Sequence, residues 1–158
     1  MMNLNLLSAT LSPNRAKTIA IAFLIISFIG FLDASYLVVQ HYRGEPPSCA
    51  IFTGCETVAE SKYAMVGPIP LALLGLLYYL AIFILTVAYF DTKKEWLLLL
   101  AALFTIVGFI ASLYFVYLQL FVIKAVCLYC MISAASSTAL FTFGASAMFR
   151  DRDSKQCQ

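Results

Sequence analysis

Apolar residues run in four long blocks, at 19–40, 69–90, 96–123 and 126–149, with polar breaks between them. Each block meets the roughly 20 residues a helix needs to cross about 30 Å of hydrocarbon. Irregular backbone facing lipid would leave N–H and C=O groups without partners, so the blocks are expected to be helices. Arg43, Gly44, Glu45, Pro46 and Pro47 stop the first block, and Pro68 and Pro70 open the second. Pro70 suits a first helical turn, where its missing N–H costs nothing. Residues 91–95 read as a tight polar turn, and Lys124 marks a very short last break. The third block is longer than a crossing requires, which predicts tilt or a projecting end. The expected fold class is an all-α integral membrane protein. It is a four-transmembrane-helix bundle, one domain over 1–158, with an external capping loop at 41–68.

Composition agrees with the pattern. Apolar residues make up 63% of the chain and charged residues 11%, against about half and a quarter in soluble domains. A chain of 158 residues cannot bury that much apolar surface against itself in water, so lipid must cover the remainder. The net charge of +2, without a basic patch interleaved with stacking residues, gives no sign of a nucleic-acid partner.

Orientation follows from Lys and Arg. Four spans place both termini on one side, together with Arg15, Lys17, Lys93, Lys94, Arg150, Arg152 and Lys155. The opposite side holds only Arg43, Lys62 and Lys124. The termini are therefore expected in the cytoplasm, with Trp96 as an interfacial anchor. No small-residue cleavage site follows the first block, so it is expected to be retained. In the loop, Ala50, Ile51 and Phe52 are expected to rest on the membrane surface as a cap. Small residues four apart (Gly30 and Ala34, Gly108 and Ser112, Ser133 and Ser137) suit close helix approach and ordinary bundle packing.

On this topology Cys49 and Cys55 lie in the external loop, Cys127 and Cys130 at the outer end of the fourth span, and Cys157 in the cytoplasmic tail. Four thiols then face an oxidising compartment. Cys127 and Cys130 form a C-x-x-C motif, and positions i and i+3 share a helix face. The motif opens a helix, where unpaired N–H groups and the positive dipole end favour thiolate. Cys49 and Cys55 flank a short, Gly54-containing stretch. A mobile pair above a helix-terminal pair reads as a two-stage relay between a soluble thiol protein and a lipid-soluble oxidant. Three other readings stand beside it: static structural disulfides, a Cys₄ zinc site for which C-x₅-C is an unusual half, and buried core thiols.

Cys49, Gly54-Cys55, Ser61, Gly67-Pro68-Ile69-Pro70-Leu71-Ala72, Gly75 and Cys127-x-x-Cys130 together resemble the vitamin K epoxide reductase (VKOR) family, most of all its bacterial stand-alone homologues. Asp33-Ala34-Ser35-Tyr36-Leu37 resembles them too. The resemblance implies that Cys49 meets the reduced partner, that Cys55 exchanges with Cys127, and that Cys130 faces the quinone. It implies that Ser61 contributes a hydrogen bond near the active site. Because no thioredoxin-like domain accompanies the chain, the implied partner is a separate soluble thioredoxin-fold thiol protein on the external side. Animal members carry a tyrosine four residues beyond the C-x-x-C, where this chain has Ala134. Their quinone-contacting asparagine has no counterpart in 63–70. Those departures bear on epoxide reduction, not on the relay.

The expected function is a thiol-disulfide:quinone oxidoreductase that reoxidises its partner, reduces a ubiquinone- or menaquinone-type quinone, and uses no metal. It would sit in a bacterial plasma membrane with its site facing the periplasm or exterior. The alternatives are a scaffold or metal-binding protein with structural cysteines, or epoxide reduction as the main activity. The quinone needs an apolar pocket near Cys130, with Tyr114 and Tyr117 as candidate linings that packing would equally explain. Asp33 lies inside the first span, and an intramembrane carboxylate is a functional candidate by default. It either relays protons or bonds a neighbouring helix. His41 reads as a solvated loop residue and Cys157 as a free tail thiol.

Overall fold

A computed structural model describes residues 13–45, 47 and 54–153. Four of its helices are long and apolar enough to cross a membrane: Ala16–Arg43, Leu71–Thr92, Trp96–Ile123 and Leu128–Ser146. In chain order the elements are α1 (Pro13–Arg43), a short α2 (Cys55–Ala59), a 3₁₀ turn (Lys62–Ala64), β1 (Met65–Val66), β2 (Ile69–Pro70), α3 (Leu71–Thr92), α4 (Glu95–Tyr117), a π-helical segment (Leu118–Ile123) and α5 (Leu128–Asp153). Around the bundle α1 packs on α3 and α5, and α4 closes the ring by packing on the same two helices. The cap residues Ala50, Ile51 and Phe52, with Cys49 and Cys157, lie outside the described residues.

The third span keeps its expected limits, while the others move. α1 has 31 residues, roughly 46 Å at 1.5 Å each, so the first helix outruns the hydrocarbon as well as the third. Its exposed end carries His41 and Arg43. The second span begins at Leu71 rather than at residue 69, and Pro70 stands before the helix with ψ 137°. Ile69 precedes a proline, which disfavours the α conformation there. Instead Met65 pairs with Pro70 and Val66 with Ile69 in a two-residue antiparallel ribbon. Gly67 makes its turn at φ +63°, the left-handed geometry that a tight hairpin demands of its first central residue.

No glycine ends α3 or the π segment. Lys93 and Lys124 both adopt φ 55°, and their N–H groups return to Tyr89 O and Gln119 O. That satisfies carbonyls which would otherwise face lipid headgroups unpaired. Three buried hydroxyls are satisfied within their own helices. Thr86 Oγ1 donates to Ile82 O at 2.7 Å, Thr105 Oγ1 to Ala102 O at 2.6 Å, and Ser27 Oγ to Leu24 O at 3.2 Å. Hydrocarbon offers no alternative acceptor, so this back-bonding removes a desolvation cost. Val107, Ile110 and Phe121 are more than 60% exposed, the outward apolar surface that a lipid-solvated bundle requires.

The small residues admit aromatic rings rather than a neighbouring backbone. A Cβ on Gly30 would fall inside the Tyr79 ring, and one on Gly108 would fall on the Tyr78 hydroxyl. Gly75 does face a neighbouring helix, and a Cβ there would stand 4.0 Å from Ala34 Cβ. Phe109 and Phe141 stack across α4 and α5 with ring centroids 4.4 Å apart. Tyr79, Phe23, Ile82 and Leu140 are fully buried at the centre. Gly30→Ala should therefore lower stability by about 1–3 kcal/mol through overpacking, read as a fall in the detergent unfolding midpoint. An unchanged midpoint would mean that the Tyr79 ring can move aside.

Candidate redox site

Residues 124–127 reverse the chain between α4 and α5, and Gln119 holds this turn. Its backbone oxygen accepts the N–H groups of Lys124 and, at 3.1 Å, Ala125. Its side-chain Oε1 accepts the Cys127 N–H at 3.0 Å. Gln119 is 3% exposed. The π segment adds one residue to the local turn, an irregularity frequent at functional sites.

Cys127 stands immediately before α5, and its carbonyl accepts the Met131 N–H at 3.1 Å. Its sulfur accepts hydrogen bonds from the Cys130 thiol and from the backbone N–H groups of Cys130 and Tyr129. The Cys130 hydrogen bond is the largest influence, and together these contacts bring the Cys127 thiol down from 9.0 to about 7, against burial and the Asp33 charge. Cys127 is a nucleophile poised near neutrality, prepared by a helix N-terminus. It is buried, whereas Cys130 is half-buried, and neither is disulfide-bonded. The intervening Tyr129 packs on Tyr36 of α1 with ring centroids 4.8 Å apart. That ring contact fastens the motif to α1, where Gln40 Nε2 donates to Tyr36 Oη at 3.3 Å.

Cys55 opens α2, is 2% exposed and is disulfide-bonded. The contact that brings it to the inner pair is made by Gly54. A Cβ there would stand 2.7 Å from Val126 N and 2.8 Å from Val126 O. Only a residue without a side chain lets the loop touch the backbone just ahead of Cys127. α2 also packs on the Leu118–Ile123 segment.

A cavity of about 680 Å³ occupies this end of the bundle, with Asp33, Ser61, Tyr79, Gln119, Cys127 and Cys130 in its wall. That size suits an organic ring system with part of an attached chain. Ser61 Oγ donates to Val58 O at 2.8 Å. Tyr79 Oη donates to Ser133 O at 2.7 Å. The buried polar atoms without a protein partner among the described residues are Asp33 Oδ2, Tyr78 Oη and Ser137 Oγ, and all three residues line the cavity. The Tyr78 hydroxyl and Ser137 Oγ both lie against Gly108. For Asp33, the missing helix partner disfavours a purely structural role.

Tyr114 and Tyr117 do not reach the cavity wall. They are 55% and 54% exposed and lie against Phe115 and Phe121 of their own helix and its π extension. Their place in the outer half of the span put them at the right depth but on the wrong face. Sequence reading missed Gln119, although a lone amide deep in an apolar span had to find a partner to avoid a desolvation cost. No cluster of His, Cys, Asp or Glu suited to a metal occurs among the described residues.

No curated protein gives a significant match to the chain. A model of the vitamin K epoxide reductase family matches residues 21–145. The chain belongs to that family. Membership makes this VKOR-family chain a multi-pass membrane oxidoreductase of quinone or epoxide and disulfide redox chemistry. The matched stretch contains every VKOR cavity residue named above.

Two outcomes test the VKOR site. Alkylation of Cys127 should follow its thiolate, half-maximal near pH 7 and falling about tenfold per unit below that. In Cys130→Ala the midpoint should move up toward 9.0, because the largest stabilising hydrogen bond is gone; a midpoint unmoved in the variant would discount that bond. Gly54→Ala should slow exchange between Cys55 and Cys127 by about tenfold or more while the fold survives, measured by rapid thiol quenching. An unaltered rate would show that the Val126 contact is not needed.

Proposed function

We propose that this protein oxidises a soluble thioredoxin-fold thiol protein outside the cytoplasm and passes the electrons to a ubiquinone- or menaquinone-type quinone in a bacterial plasma membrane. The observation that carries this reading is the Gly54–Val126 contact, which sets the Cys55 helix against the segment bearing Cys127 at the mouth of an apolar cavity. A static staple would not need a thiol held near neutral pKa beside a ligand-sized space. The excess of Lys and Arg with the termini supports a site facing the periplasm or exterior.

The steps balance as follows. A partner thiolate attacks Cys49 of a Cys49–Cys55 bond, and Cys55 leaves. The partner's second thiol displaces Cys49, so the partner is oxidised and the outer pair reduced. Cys55 attacks Cys127 of an oxidised inner pair, and Cys130 leaves. Cys49 then attacks Cys55 and displaces Cys127, whose stabilised thiolate is a good leaving group. The inner pair gives up two electrons and two protons to the quinone and closes again as a disulfide. The chain's own groups supply N–H dipoles at Cys127, a dry wall, and polar stations at Ser61, Gln119 and Asp33.

Cys49→Ala should abolish oxidation of the partner, and a partner lacking its second thiol should accumulate a partner–Cys49 mixed disulfide visible on a non-reducing gel. Unimpaired partner oxidation in Cys49→Ala would overturn the assignment. Mass-tagging should find the inner pair oxidised when quinone is added and reduced when it is withheld; a state indifferent to quinone would favour a scaffold.

A further inference from the structure

Gln119 has a second end. The Cys127 N–H at 3.0 Å fixes which side-chain atom is oxygen, because only an acceptor can face that donor. The two N–H bonds of Nε2 must then point elsewhere. They have no protein acceptor among the described residues, in a side chain 3% exposed that lines the 680 Å³ cavity. Nε2 is not among the fully buried unpaired atoms, so it keeps access to the cavity space, where a ligand acceptor can reach it.

Resting on the function proposed above, we infer that Gln119 donates a hydrogen bond from Nε2 to one carbonyl oxygen of the quinone substrate while its Oε1 holds the Cys127 amide. The wall also holds the carboxyls of Asp33, Glu45 and Glu60 and the amide of Gln40, which donates to Tyr36, whereas Gln119 is bonded to the redox motif itself. A quinone carbonyl accepts hydrogen bonds and, on reduction, gains electron density at that oxygen. A donor aimed there strengthens as the reaction proceeds. No atom is transferred by Gln119: the electrons come from the two thiols, and the amide keeps both its protons. The same side chain thus sets the position of Cys127 and of the ring that accepts its electrons. The π segment supplies the geometry, because its wider turn lets residue 119 reach across to residue 127.

The experiment uses the full chain in detergent with a soluble ubiquinone or menaquinone analogue carrying ¹³C at its carbonyls. In wild type, infrared difference spectra should show the two carbonyl bands split, one lowered by the hydrogen bond. Gln119→Met, close in shape but without a donor, should raise the lowered band and increase the quinone KM by about tenfold. A merely structural role for Gln119 would slow thiol exchange but leave the carbonyl band where it was. If Gln119→Met does not fold, ¹⁵N-glutamine labelling of wild type reads the same contact. One side-chain amide pair among Gln40, Gln119, Gln156 and Gln158 should shift on quinone addition, and in Gln40→Ala that shift should persist. Normal quinone binding with unsplit bands, or with no amide shift, overturns this assignment alone. Failure of wild type to bind any quinone overturns the function proposed above together with it.

Discussion

The hydrogen bond from the Cys127 N–H to the Gln119 side chain is the tie on which the rest of the redox end is built. α4 must stop, reverse and deliver a thiol to the start of α5 within four residues, between two helices that are each long and apolar enough to span a membrane. Gln119 answers with three acceptor contacts, two at its backbone oxygen and one at its side chain. With the turn fixed, α5 begins at Leu128, and its first free N–H groups converge on the Cys127 sulfur. The thiol's acidity follows from where the helix starts. So does the Gly54 contact, since that loop docks on Val126 within the same turn.

Much of this was legible in the chain, and the misses share a cause. Four spans emerge from hydropathy because lipid forbids most alternatives to a continuous helix, and the third kept both its limits. The C-x-x-C at a helix start was legible because its chemistry is local. The side-chain direction of a residue within an all-apolar helix was not. Tyr114 and Tyr117 sit where depth alone would place a pocket residue, yet they face outward. In water an apolar stripe betrays the inner face of a helix; in lipid both faces are apolar and that signal vanishes. Polar atoms are then the better guide. Gln119, Asp33, Tyr78 and Ser137 all turn to the cavity, and each carries a group that lipid would not tolerate.

The same asymmetry explains the short ribbon before α3. A periodicity argument sees apolar Ile69 and Leu71 as one run, but Pro70 between them forbids a helical Ile69. The chain uses the extended stretch to pair with Met65–Val66, satisfying backbone groups at the membrane edge. Ser61 is thereby carried into the cavity wall by a segment anchored at both ends, on Val126 through Gly54 and on α3 through Leu71.

Tyr78 and Tyr79 are neighbours on α3, so their side chains leave the helix about 100° apart. Tyr79 fills the notch left by Gly30 of α1, and Tyr78 the notch left by Gly108 of α4. Both form part of the cavity wall, and beyond them the interior is closed by Phe23, Ile82 and Leu140. The pair works as a stopper in the neck of the bundle. Water that enters with a substrate meets a hydrocarbon plug before it can reach the opposite face. A charge set down on the cavity side of such a stopper would face that hydrocarbon before the opposite end, so a bundle closed in this way would hold the voltage across a membrane that contains it.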